Sequence, residues 1–559
     1  MKAQWKHLIP TTILSALVVV VLISILVWSD RKAKQAGEKE QKNDEQQEQT
    51  GEELPGQESE KAPAPDSGDP DVSDGNQTAN DGQNGDRVIF GASDIRVLLM
   101  TTGYESYLHD RVEIYAPYGL RVTTVDCVEE YHGETVLGDS FFGTLPVGES
   151  AVIEPILSGT EAVGAGQQTG LTIRSIRRTE GYPEYSGSLS VTRGDRGYYL
   201  VNQVPLETYL YSVVPSEMPS SYEQEALCAQ AVCARTYAYR FMMNPGLEEY
   251  GADVDDSTGF QVYNNIGRTE ATDRAVDLTR GKILLYGNVP AETYFYSTSC
   301  GISADETVWN MEQESRYVYL TVDRITKLPG ESGNGIDYSD EAVFADYIGR
   351  VFDDYEKDYP YYRWTYAVTD LDSGDLLKRL NNRYKTNPDT ILCHDAGSDS
   401  YVSAEPADLG DVTSIRVVER DESGAVRRLC IYGTRASYEV RTCNSIRFVL
   451  ALPGGILQRG DGVREQCTTM LASAFFCVAQ DGGSPGTDNG LQSGYDLILW
   501  GGGHGHGVGM SQNAAGAMAG QGMNHEEILT FFYKGTQIGV LQYETSSNDT
   551  GVYAGNQKG

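Results

Sequence analysis

Residues 8–28, LIPTTILSALVVVVLISILVW, run for 21 positions without a charge, and no other stretch constrains the chain as strongly. About 20 consecutive apolar residues are enough to cross a bilayer as one helix. Lys2 and Lys6 precede the stretch, and Arg31, Lys32 and Lys34 follow it. The flanks are nearly balanced in Lys and Arg, so the positive-inside rule fixes no orientation. No Ala-x-Ala-like cleavage site follows at once, so the expectation is a single uncleaved N-terminal transmembrane helix, with residues 1–29 as a membrane anchor. The short N-terminus then leaves one direction for the bulk of the chain, which is extracytoplasmic and single-pass. A cleaved export signal would give the same compartment.

Residues 30–86 hold almost no large apolar side chain and are rich in Glu, Gln, Asp, Gly, Pro and Ser. Such a composition buries too little surface to offset chain entropy, so it reads as a disordered acidic linker. Residues 33–86 carry 15 Asp or Glu against four Lys, a net of −11, so of the formal −36 about −25 belongs to the rest. No basic stripe interrupts the excess of 80 Asp and Glu over 44 Lys and Arg, which argues against nucleic-acid binding. Nine cysteines, without a CxxC pair, define neither a disulfide framework nor a zinc ribbon.

From residue 87 onward, the β-type runs IRVLLM (95–100), GKILLYG (281–287) and AETYFYSTS (291–299), and period-two alternation in RVEIYAP (111–117), predict strands. Gly194 and Gly197 predict a hairpin over 187–202, and Ser423-Gly424 another within 414–433. Pro205 suits a first helical position, and Asn524 suits the N-cap of a short helix over 524–533. The expected class is α+β, β-rich with few helices, with one prominent helix after a candidate catalytic loop. The divisions are an N-terminal part at 87–330, an insertion or connecting region at 331–400, and a C-terminal part at 401–545. The acidic, tyrosine-rich stretch 330–362 stands out as the insertion.

The prominent helix sits in VVPSEMPSSYEQEALCAQAVCARTYAYR (213–240). Ser220 with Glu223, or Ser221 with Gln224, fits a capping box, which predicts a helix from 220–222 to about 243. Leu227, Ala231, Ala234, Ala238 and Phe241 make one apolar stripe, with Gln230 beside it. Glu217 falls just ahead of this helix, between Pro215 and Pro219 and among Val213, Val214 and Met218. A carboxyl fixed in apolar surroundings has its pKa raised, as a general acid near neutral pH requires. Capping of the helix or pairing with Arg235 would serve Glu217 equally well on spacing alone.

These residues closely resemble the core motif of the stage II sporulation protein D / amidase-enhancer (SpoIID/LytB) family. A second block, GGGHGHGVGMSQNAAGAMAGQGMNHEEILTFFYKGTQI (501–538), resembles its C-terminal signature, and YSTSCG (296–301) with Val308-Trp309 also fits. The resemblance implies a peptidoglycan lytic transglycosylase that cleaves MurNAc-GlcNAc glycan strands, with the glutamate of PSEMP, Glu217, as its catalytic residue. It further implies Gln230, Arg235, Ser297, Ser299, His506, Ser511 and Gln512 as candidate substrate-binding residues. The alternative within the same family is a glycan-binding enhancer of a cell-wall amidase that does not cut. A structural member of a sporulation membrane complex is a third option. Implied partners are glycan strands, a cell-wall amidase, sporulation membrane-complex proteins and the membrane.

His504 and His506 lie two residues apart among glycines, a spacing that in a strand would put both on one face. Substrate positioning, a structural role in a tight loop, and metal ligation all remain open for them. The resemblance implies no required cofactor but leaves a zinc ion open at Cys300 and His504. Two departures from the family pattern are Cys228, where a lysine is usual, and Cys233, where an alanine is usual.

Overall fold

Alternating burial builds the largest sheet. In Asp94–Leu98, Ser188–Arg193 and Tyr198–Pro205 every second side chain points into the core. These strands join Ser150–Pro155, Gly119–Thr123, Val128–His132 and Val254–Asp255 in a seven-stranded sheet. The expected hairpin is present and turns where Gly194 N–H donates to Gly197 O at 2.7 Å. The computed structural model describes residues 87–91, 94–156, 170–312, 314–327, 337–395, 399–479 and 496–543. The expected membrane helix and linker (8–28 and 30–86) lie outside the described residues, and no described helix is long and apolar enough to cross a membrane.

The strand Tyr198–Pro205 runs directly into helix α1 (Leu206–Glu217), which Pro205 precedes rather than opens. Leu206, Tyr209, Leu210, Val213 and Val214 of α1 are buried at helical spacing. The helix stops because Met218 precedes Pro219 and is driven out of the helical region, to φ −138° and ψ 129°. Glu217 is therefore the last residue of α1, not part of a loop. Helix α2 (Gln224–Met243) begins later than the Ser-based capping boxes predict, and no side chain caps its start.

Helix α2 also differs from the expected one-sided stripe. Every residue from Ala226 to Thr236 is buried, together with Ala238 and Tyr239. Ala231, Ala234 and Ala238 face the core of the seven-stranded sheet, while Ala226, Leu227, Ala229 and Val232 face a second core. Small side chains suit a helix that is packed on all sides. Helices α3 (Gln512–Gly520) and α4 (His525–Phe532) lie against it from the C-terminal end of the chain. Asn524 caps α4 as expected, in a capping box with Glu527.

The two ends of the described chain meet in one sheet. Arg87–Gly91 pairs parallel with Gln537–Tyr543, which pairs antiparallel with Lys282–Tyr286. A five-stranded sheet has Trp364–Val368 at its centre, between Ile456–Arg459 and Leu497–Gly501. Thus a strand from the 331–400 stretch is the middle of a sheet whose other members come from the C-terminal part. A second five-stranded sheet contains the hairpin Val412–Arg420/Val426–Gly433. It turns through Gly424 at φ +88°, where a Cβ would lie 2.1 Å from the Phe344 ring. The class is mixed α+β and strand-rich. It has more helical content than the sequence suggests, with nine α-helices among the described residues.

Candidate functional site

Glu217 ends α1 with its carboxyl turned toward the segment that follows strand Val254–Asp255. Its Oε1 accepts the Val262 N–H at 2.6 Å. Part of the residue still meets solvent, although protein atoms crowd the carboxyl. Burial pushes its pKa up from 4.5 to about 7, and the Val262 hydrogen bond opposes the rise. Such a carboxyl is near half-protonated at neutral pH and can both give and take a proton.

The main chain at Glu217 is tied to α3. Gln512 Nε2 donates to Glu217 O at 2.9 Å and to Gln230 Oε1 at 3.3 Å. Gln512, Gln230 and Glu217, up to 295 residues apart in sequence, are thereby joined. Gln230 is fully buried and Gln512 is 4% exposed, so both position the site from behind. Ser511 caps α3, and its hydroxyl donates to Glu356 Oε1 at 2.6 Å. Ser299 N–H donates to the same oxygen at 2.9 Å, and the Ser299 hydroxyl donates to Oε2. The Ser297 carbonyl accepts from Asn513 N–H at 3.0 Å, within the short parallel pairing of Phe295–Tyr296 with Met510–Ser511. Ser299 and Ser511 are buried and their hydroxyls are engaged inside the protein, so they brace the site and offer no surface to a ligand. Ser297 and His506 keep partial exposure.

Arg235 is not at this site. It is fully buried and forms a two-pronged ion pair with Glu207, at 2.9 Å and 2.8 Å. Neither pairing with Glu217 nor contact with a ligand is open to it, because its guanidinium also donates to the carbonyls of Lys282 and Val276. Its role is structural.

His504 and His506 do not share one face of a strand. Gly503, Gly505, Gly507 and Gly509 all have positive φ, so the backbone reverses hand at every second residue. His504 stacks on Tyr361 at 4.4 Å, and His506 packs against Trp309 at 4.9 Å and Tyr296 at 5.5 Å. Burial lowers both to about 3, and Arg447 adds repulsion, so both rings are neutral at physiological pH. His506 Nδ1 accepts the Val508 N–H at 3.1 Å, which places its proton on Nε2. Among the described residues, Cys300 and His504 join no group of three metal-ligating side chains.

One acidic residue of this region escapes sequence reasoning. Asp255 is buried, accepts from Tyr107 OH at 2.7 Å and from Ser257 N and Oγ at 2.8 Å each, and is pushed up by burial to about 6. Its charge and that of Glu217 act on the same tyrosines, Tyr104, Tyr209 and Tyr237. The signal is the run ADVDDSTG (252–259), which sets three aspartates just before Val262.

The part of the chain that builds α1, α2 and the Asp255–Val262 segment matches the family model "Stage II sporulation protein", over residues 194–286. Residues 194–286 therefore carry the domain of the SpoIID/LytB family. The chain is 28% identical over 353 residues to stage II sporulation protein D of Bacillus subtilis (strain 168), which covers 60% of this chain and 75% of that protein. It is 29% identical over 334 residues to the amidase enhancer of the same organism, covering 59% of this chain and 40% of the enhancer. Against stage II sporulation protein D of Bacillus amyloliquefaciens it is 37% identical over 160 residues, covering 26% of this chain and 46% of that one. The chain thus spans less than half the length of two of these three SpoIID/LytB relatives.

Proposed function

We propose that this SpoIID/LytB protein is a cell-wall glycan lytic transglycosylase acting outside the cytoplasm, with Glu217 as its single acid and base. The observation that carries this is a crowded carboxyl with a pKa near 7, anchored at a helix end by Val262 and Gln512. As acid, Glu217 would protonate the glycosidic oxygen between MurNAc and GlcNAc while positive charge develops at the muramic acid. As base, it would then take the proton from that sugar's C6 hydroxyl, which closes a 1,6-anhydro ring. The internal hydroxyl is held by the substrate itself, so no activated water is needed. Asp255, anionic above about pH 6, would favour the developing positive charge from the same neighbourhood. Residues 8–28 would hold the catalytic part at the outer face of the membrane.

The similarity to an amidase enhancer favours a second reading, in which the same site holds glycan for a partner amidase without cutting it. Digestion of glycan strands lacking stem peptides, followed by mass spectrometry of the released sugars, separates the two. The enzyme reading expects anhydro-muramic products from the wild type and none from Glu217→Gln. Glycan retained without products, and amidase activity raised on addition of the protein, would leave the enhancer reading standing instead.

A further inference from the structure

We propose that Glu225, Cys228 and His525 form a binding site for a thiophilic divalent cation of the zinc type, clamping the start of α2 to the start of α4. This inference is independent of the catalytic reading. Glu225 and Cys228 are three residues apart on α2 and so lie on one helix face. His525 comes from a segment 300 residues later, where the Asn524 capping box fixes the backbone. One ligand atom from each of the three lies within 4.8 Å of the other two. Glu225 Oε2 is 2.7 Å from His525 Nδ1 and also accepts the His525 N–H at 2.8 Å. A carboxylate, a thiol and an imidazole are three of the donor types zinc takes, at about 2.0–2.3 Å each. Ligand atoms round such an ion stand about 3–4 Å apart, so side-chain motion of about 1 Å closes the set.

The surroundings are arranged as an outer shell. Glu526 Oε1 is 4.0 Å from His525 Nε2, the ring nitrogen other than the one that meets Glu225. Metal-binding histidines generally donate that second N–H to a carboxylate, which Glu526 is placed to accept. Lys282 Nζ now stands 3.0 Å from both His525 Nε2 and Glu526 Oε1. With the cation on Nδ1, the ring proton moves to Nε2 and Lys282 keeps Glu526 as its partner. The Cys228 thiol releases its proton to solvent on ligation, one per ion bound. Cys228 is buried, whereas the Glu225 side chain is 40% exposed and that of His525 is 15% exposed, which leaves an entry route and room for a water as fourth ligand. Because α2 begins seven residues after Glu217, a cation here would steady the helix that carries Gln230 behind the site.

The test uses the full chain, stripped with a chelator and titrated with Co²⁺ as a spectroscopic probe. We expect a thiolate-to-cobalt charge-transfer band that saturates at one equivalent. The band should vanish in Cys228→Ser, remain in Cys300→Ser, and require about 10–100-fold more cobalt in Glu526→Gln. Should Cys228→Ser fail to fold, His525→Gln at the rim of the site gives the same reading, by losing the one-equivalent saturation. No band in the wild type, or a band unchanged in Cys228→Ser and His525→Gln, overturns the proposal.

Discussion

Replacing Glu217 by Gln should make the protein more stable, and only above a certain pH. Burial raises the Glu217 carboxyl from 4.5 to about 7. A tenfold change in an acid constant corresponds to about 1.4 kcal/mol, so ionised Glu217 costs the native state up to about 3 kcal/mol relative to the unfolded chain. The sign follows from proton binding. Between about pH 4.5 and 7 the native state holds a proton that the unfolded chain has lost, so stability falls as pH rises through this window. Below about 4.5 both states are protonated and there is no cost. Gln is neutral throughout and its carbonyl oxygen can still accept the Val262 N–H. Urea denaturation of both proteins from pH 4 to 9 should show the variant ahead by up to about 3 kcal/mol at pH 8, with no gap near pH 4. Glu356 and Asp255, also raised by burial, titrate in both proteins and cancel. In the glycan assay the same variant should lose about 10²–10⁴-fold in rate. A stability gap that does not change with pH, or a variant weaker than wild type at pH 8, would refute the reasoning.

Three further outcomes can be checked in solution. Arg235→Met strands Glu207 in the core and should cost roughly 3–5 kcal/mol by urea denaturation, while the pair Glu207→Leu with Arg235→Met recovers most of it. His504 and His506, held near 3 by burial, should give imidazole NMR signals that do not move between pH 5 and 8; a midpoint inside that range contradicts the geometry. Gly509→Ala should abolish the native fold as read by near-UV circular dichroism, because φ is +76° and the new Cβ would lie 2.0 Å from Tyr294 O. By contrast, Gly522→Ala, at φ +92° but in open space, should cost only about 1 kcal/mol.

What the sequence made legible was local. The β-type runs became strands at Asp94–Leu98 and Lys282–Tyr286, the glycine turn at 194–197 formed its hairpin, and Asn524 capped its helix. What it hid was long-range. The apolar stripe of α2 looked one-sided because alanine and cysteine count little in periodicity, yet they mark a helix buried on all faces. Arg235 looked available because nothing nearby in sequence announces Glu207 as its partner, 28 residues earlier. Glu356 lies in the stretch that reads as an insertion, yet it organises Ser299 and Ser511 from positions 57 and 155 residues away. Glu217 itself was legible because two prolines fix its surroundings, but the same prolines suggested a loop where α1 in fact ends.

Glu356 also shows why a raised pKa alone would not find the site. Its carboxyl is pushed up to about 7 by burial, as that of Glu217 is. Glu356, however, is fully enclosed, and Ser299 and Ser511 occupy both its oxygens, so protonating it can only loosen the contacts that hold Tyr296 against Ser511. Glu217 keeps some solvent contact and stands where a helix end, the Val262 turn and α3 converge. Two carboxyls of equal acidity thus differ in what they can reach. Access decides which of them can pass a proton to something outside the protein, and under the proposed function that favours position 217.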